Sequence, residues 1–146
     1  MIDALLERDI AGSRNQQTEG HCLRIAVGEG RIVGLDADVK NSTHAEWFAK
    51  KFPNQYLECK IAEQNMFSVA AGCAAAGKIP FASTFAKFVE RAYDQIEMAI
   101  NSGVNLKIVG THAGVTLAAD GPSQMSLPDA AFFRAFTHVK NYTGQT

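Results

Sequence analysis

Charge of one sign is what this sequence most lacks. Its 14 basic and 15 acidic residues leave a formal net charge of -1, and the lysines and arginines are scattered. A chain that follows nucleic acid or lies on an anionic membrane presents a basic patch, so neither partner is expected. Cysteine is sparse too. Cys22, Cys59 and Cys73 are odd in number, far apart and in no C-x-x-C pattern, which argues against a disulfide framework and a zinc site. They read as small buried thiols. His21, His44, His112 and His138 are too dispersed to suggest a metal. No long apolar run opens the chain: Met1 to Asp9 alternates apolar and charged residues without an apolar core of signal-peptide length, so a cytoplasmic setting is expected. The phosphate-cradling glycine loop, the H-E-x-x-H helix and the G-x-S-x-G elbow are all absent. Gly28-Glu29-Gly30 is followed by Val33 where a dinucleotide fingerprint needs its third glycine, and it precedes a strand; it reads as a turn.

What is present is a globular composition, 47% apolar and 20% charged over 146 residues, enough for one domain with a real core. Its period alternates. Strand-like runs at Arg31 to Asp36, Tyr56 to Lys60, Ile79 to Ser83 and Asn105 to Thr111 are each followed by a helical stretch: Thr43 to Lys51, Glu63 to Gly77, Phe85 to Asn101 and Leu127 to Phe136. This pattern predicts an α/β fold, a three-layer sandwich whose mostly parallel sheet is covered by helices on both faces. Ser42 or Thr43, with Glu46 three residues beyond Thr43, reads as the start of the first helix. The small residues from Ala70 to Gly77 suit a close helix contact. Residues 1–27 read as an N-terminal arm, 28–137 as the domain and 138–146 as a polar tail that frays.

In such a sheet, ligands collect outside the carboxyl ends of the strands. There the sequence places Asp36 and Asp38, then Glu63, then Thr84-Phe85 with Phe88 one turn on, then His112 and the loop Asp120-Gly121-Pro122-Ser123-Gln124. Each has an ordinary structural reading: an aspartate that caps, phenylalanines in a core, a turn histidine, a turn. Together they make a cleft with an apolar wall and a few polar fixings, the usual constitution of a cofactor or substrate pocket. Glu63, a lone carboxylate at a strand-to-helix junction, is the strongest single candidate.

The segments Ile61-Ala62-Glu63-Gln64-Asn65-Met66, Ser83-Thr84-Phe85-Ala86-Lys87-Phe88, Arg91-Ala92-Tyr93-Asp94-Gln95-Ile96 and Asp120-Gly121-Pro122-Ser123-Gln124-Met125, with Asp36 to Thr43, resemble the central pyrimidine-binding domain of transketolases. The likeness runs in order from about Arg14 to Arg134. It extends to other thiamine-diphosphate enzymes such as deoxyxylulose-phosphate synthase, although Asp120 to Met125 looks more like transketolase. The resemblance implies that Glu63 hydrogen-bonds the aminopyrimidine ring nitrogen of thiamine diphosphate and activates it. The cofactor then serves as electron sink while a two-carbon unit passes from a ketose phosphate to an aldose phosphate. It further implies that Phe85 and Phe88 stack on the ring, that Asp38 and Gln124 lie at the cofactor, and that Arg14, Ser42, His112 and Asp120 contact the sugar phosphate. The family's diphosphate-binding domain holds the cofactor's diphosphate through Mg2+, and its Gly-Asp-Gly signature has no match here. The expectation is therefore half a site, completed in a homodimer or by a diphosphate-binding subunit. The competing expectation is a non-catalytic oligomerisation or regulatory module.

Overall fold

In the computed structural model the described residues are 2–6, 30–115, 117–136 and 139–140. Six strands form one sheet in the order β3-β2-β4-β5-β1-β6: β1 (Ile2–Leu6), β2 (Ile32–Asp36), β3 (Tyr56–Glu58), β4 (Ile79–Phe85), β5 (Lys107–Thr111) and β6 (Val139–Lys140). Every neighbouring pair is parallel. The helices are α1 (Ala45–Lys51), α2 (Glu63–Ala75), α3 (Ala86–Val89), α4 (Tyr93–Asn101) and α5 (Asp129–Arg134).

The two-residue period of β2 assigns its side chains to two layers. Ile32 joins Phe48 of α1, with Phe52, Tyr56, Ile79 and Phe81 packed beside them. Val33 and Leu35 belong to the larger core, which includes Met66, Phe67 and Ala70 of α2, Ile96 and Ile100 of α4, and Phe133. Two cores on opposite faces make the three-layer sandwich expected from the sequence. Burial of side chains such as Phe67, Met66 and Ile96, all 0% exposed, contributes on the order of 2 kcal/mol each before chain entropy is counted.

Gly34 is required by this layering. A Cβ there would lie 2.8 and 2.9 Å from Cδ1 and Cε1 of Phe48, a buried ring with little room to turn. Gly34→Ala is expected to lower stability by about 1–3 kcal/mol, as overpacking does. Urea unfolding of the purified chain measures this, and an unchanged midpoint would show that the α1 layer yields freely.

Three boundaries differ from the sequence reading. The third helical stretch is broken: Phe85 has extended backbone and ends β4, paired with Thr111, and a 3-10 turn at Glu90–Ala92 separates α3 from α4. The first helix starts at Ala45, because the Thr43 hydroxyl donates to Asp36 at 2.6 Å and Glu46 pairs with Lys50 at 3.0 Å instead of closing a capping box. Ile2–Leu6, read as part of an arm, pairs with β5, and Val139–Lys140, read as tail, pairs with β1. Such short strands lack a periodic signature of their own and are defined by the neighbours they join.

The strand order fixes where a ligand site belongs. From β2 the chain leaves through α1 to β3 on one side; α2 then returns it over β2 to β4, from which it continues to β5 on the other side. Adjacent strands β2 and β4 therefore carry connections that diverge, and the crevice beyond their carboxyl ends is a topological switch point.

Candidate active site at the carboxyl edge of the sheet

Asp36, the last residue of β2, is fully buried. Its Oδ1 accepts the Val39 N–H at 2.7 Å and its Oδ2 accepts the Thr43 hydroxyl at 2.6 Å. Burial, more than these hydrogen bonds can offset, pushes the carboxyl up from 3.8 to about 6. Asp36 thus shapes the loop that carries Asp38 and Ser42. Asp38 sits at φ 64, a left-handed conformation that aspartate tolerates better than most residues. It is exposed, and its N–H donates to Glu58 at 3.1 Å. Lys40 reaches the other oxygen of Glu58 at 2.8 Å. Burial pushes Glu58 up, but Lys40 and the N–H groups of Lys60 and Asp38 outweigh it and hold the carboxyl below its ordinary value.

Glu63 is the first residue of α2 and is 4% exposed. A carboxylate in the first turn faces unpaired backbone N–H groups and the positive end of the helix. Across the cleft, Nη1 of Arg91 donates to Glu63 Oε1 at 2.8 Å. The Arg91 guanidinium also covers the Phe88 ring, 4.4 Å from its centroid. Phe88 in turn stacks on Phe85 at 5.2 Å with 18° between the planes, and Phe85 lies 4.6 Å from the His112 ring. Glu63, Arg91, Phe88, Phe85 and His112 are therefore one unbroken line of contacts along the carboxyl edge.

His112 follows β5 at φ 56, and its Nδ1 lies 2.9 Å from the Thr111 hydroxyl. Beyond it the chain makes an excursion whose ends are tied together where Gly114 N–H donates to Ser126 O at 2.8 Å. Asp120 and Gln124 lie on this loop, Asp120 exposed and Gln124 half-buried with the Ser123 hydroxyl on its Oε1. The buried Ser126 hydroxyl donates to Glu90 at 2.7 Å, and Lys87 reaches the second oxygen of Glu90 at 2.6 Å. The 3-10 turn therefore anchors both the loop, through Glu90, and the start of α2, through Arg91.

The structure thus brings Glu63, Phe85, Phe88 and His112 into one constellation. Asp38 and Ser42 stand on the neighbouring loop from β2, and Asp120 and Gln124 on the loop after His112. Arg14 lies outside the described residues. Sequence reasoning missed Arg91 and Glu90 as site residues. For Arg91 a signal existed, since Phe85, Phe88 and Arg91 are spaced by three, the interval of a helical stripe. Glu90 had none, because its partner Ser126 is 36 residues away.

The buried carboxyl beside a stacked pair of rings fits an aromatic heterocycle that carries a hydrogen-bonding ring nitrogen. Glu63 Oε2 receives no hydrogen bond from the described residues, which leaves an acceptor at the mouth of the aromatic shelf.

Comparison with known proteins agrees with this geometry. The family described as transketolase, pyrimidine binding domain, matches residues 16–142. Human transketolase is 54% identical over 113 residues, which cover 77% of this chain and 18% of that protein. Bovine transketolase-like protein 1 is 51% identical over 113 residues, covering 77% of this chain and 19% of that protein. Among solved structures, a split gene transketolase, an inactive beta4 tetramer, superposes with a TM-score of 0.67 at 41% identity, covering 84% of this chain and 40% of that one. Transketolase from Campylobacter jejuni shares the fold with a TM-score of 0.78 at 21% identity, covering 87% of this chain and 21% of that one. The chain spans less than a fifth of the length of the curated relatives named here. It belongs to the transketolase pyrimidine-binding domain family.

Proposed function

We propose that this chain is the pyrimidine-binding component of a transketolase, acting on a ketose phosphate and an aldose phosphate in an assembly with a diphosphate-binding domain or subunit. The observation that carries the reading is the line of contacts from the buried Glu63 carboxyl to the Phe85–Phe88 ring pair and His112. Thiamine diphosphate, when bound, supplies the nucleophilic carbon and the electron sink for transfer of a two-carbon ketol unit.

The roles of this chain's residues follow from chemistry and placement. Glu63 shares a proton with the ring nitrogen through Oε2, and being buried it does so out of competition with water. Phe85 and Phe88 offer a flat apolar face that orients the pyrimidine and excludes water. Asp38 and Gln124 border the cofactor. Ser42, His112 and Asp120, with Arg14, supply hydrogen bonds and charge to the sugar phosphate. Mg2+ and the diphosphate fall to the other domain or subunit, and homodimerisation or a heteromeric complex brings the two halves together. The split gene relative, solved as an inactive tetramer, supports dependence on a second component. A cytoplasmic location belongs to the same proposal.

Calorimetry with thiamine diphosphate and Mg2+ tests it. The chain alone is expected to bind weakly, and addition of a diphosphate-binding subunit is expected to give tight binding and ketol transfer. Tight binding by the isolated chain, or a well-formed complex without transfer, would overturn the proposal.

A further inference from the structure

We infer that Arg91 is a positioning residue, which holds the Glu63 carboxyl and the Phe85–Phe88 ring pair as a single frame. The inference rests on the function proposed above. It starts from two contacts made by one planar group. The edge of the guanidinium is engaged with Glu63 Oε1 at 2.8 Å, while its face covers Phe88 at 4.4 Å. These constraints act in different directions, so together they limit both rotation and translation of the guanidinium. An arginine satisfies them at once because it is flat, charged and weakly hydrated; a lysine ammonium is a point charge and cannot do the same.

The consequence for Glu63 is orientation. With Oε1 occupied by Arg91, Oε2 is the oxygen left to face a ligand, and its position is linked through Phe88 to the stacked Phe85 ring. The backbone beneath Arg91 is also held. Glu90, its neighbour in the 3-10 turn, engages Lys87 at 2.6 Å and the buried Ser126 hydroxyl at 2.7 Å. The two partners of the ion pair differ in environment, the Arg91 side chain being 52% exposed and that of Glu63 5%. A pair exposed at both ends contributes little. Here the carboxylate end is buried, so removing the cation strands a charge away from water.

The test combines a double-mutant cycle on unfolding with kinetics of the assembled enzyme. In the full chain without cofactor, Arg91→Met is expected to lower Tm by about 4 °C when Glu63 is present and by less than about 1 °C in the Glu63→Gln background. In the enzyme assembled with a diphosphate-binding subunit, Arg91→Met is expected to lower kcat about 30-fold and Arg91→Lys about 5-fold, with KM for the sugar phosphate changed less than about twofold, because a misplaced group costs rate more than affinity. Equal Tm losses in both backgrounds would mean that Arg91 merely props the turn, and would overturn the inference. A raised KM with unchanged kcat would overturn it in favour of direct substrate contact. Wild-type turnover by Glu63→Gln alone would instead overturn the proposed function, and the positioning role with it, even where the unfolding cycle shows coupling.

Discussion

Glu63→Gln is expected to lower ketol transfer by the assembled enzyme by about 10³-fold, within the range that removal of a positioned proton-transfer group produces, while leaving the fold intact. The substitution is nearly isosteric. The amide oxygen still accepts the Arg91 hydrogen bond that Oε1 accepts at 2.8 Å, so the frame of Arg91, Phe88 and Phe85 persists. The amide nitrogen at the other position can donate to a ring nitrogen but cannot surrender and regain a proton. Affinity for thiamine diphosphate should therefore change little, and the loss should fall on kcat. Two measurements separate these effects: calorimetry for affinity, and the exchange of the cofactor's acidic C–H with solvent deuterium for activation. Exchange within tenfold of wild type would remove Glu63 from its role. Glu63→Ala is a cruder probe, since it also leaves the Arg91 guanidinium without its carboxylate and opens space beneath the shelf.

Glu63 was legible in the sequence because its signal is local: a strand-like run ends and a helix begins within a few residues. The sheet order was not legible, since pairing of β2 with β4 across α1, β3 and α2 is a tertiary fact. Phe85 and Phe88 were recognised as a pair, but their spacing read as helical, whereas Phe85 belongs to a strand whose length is set by its pairing with Thr111. Asp36 and Asp38 could not be told apart by type alone. Their difference lies in the layering: Asp36 shares the phase of Ile32 and Gly34, which face α1, and it is buried, while Asp38 lies beyond the strand in the open. Arg91 was quoted as part of a family segment without being given a task, because an ion pair between residues 28 apart leaves no periodic trace.

That distinction between the aspartates has a measurable consequence. Asp36 titrates near 3.8 in an unfolded chain and is pushed up to about 6 in the fold. Between these values the native state holds a proton that the unfolded state has released, so stability falls as pH rises through the window. The contribution is fully present below about pH 4 and lost above about pH 6, an effect on the order of 3 kcal/mol. Asp36→Asn removes it. The amide can still accept the Val39 N–H and can donate to the Thr43 hydroxyl, reversing that hydrogen bond. The variant should therefore gain stability over wild type on going from pH 4 to pH 7, as measured by urea unfolding at both values. Glu58, held below its ordinary value mainly by Lys40, acts in the opposite direction at lower pH, and it cancels largely in the comparison because both proteins carry it. Parallel stability curves for the two proteins would show that Asp36 is not the buried acid it is taken to be. Asp36→Ala separates charge from architecture: it leaves the Val39 N–H and the Thr43 hydroxyl without their acceptor, at about 1–3 kcal/mol for each group kept from water. Because the loop from residue 36 to 43 carries Asp38 and Ser42, the Ala variant should also weaken sugar-phosphate and cofactor binding in the assembled enzyme, whereas the Asn variant should keep both.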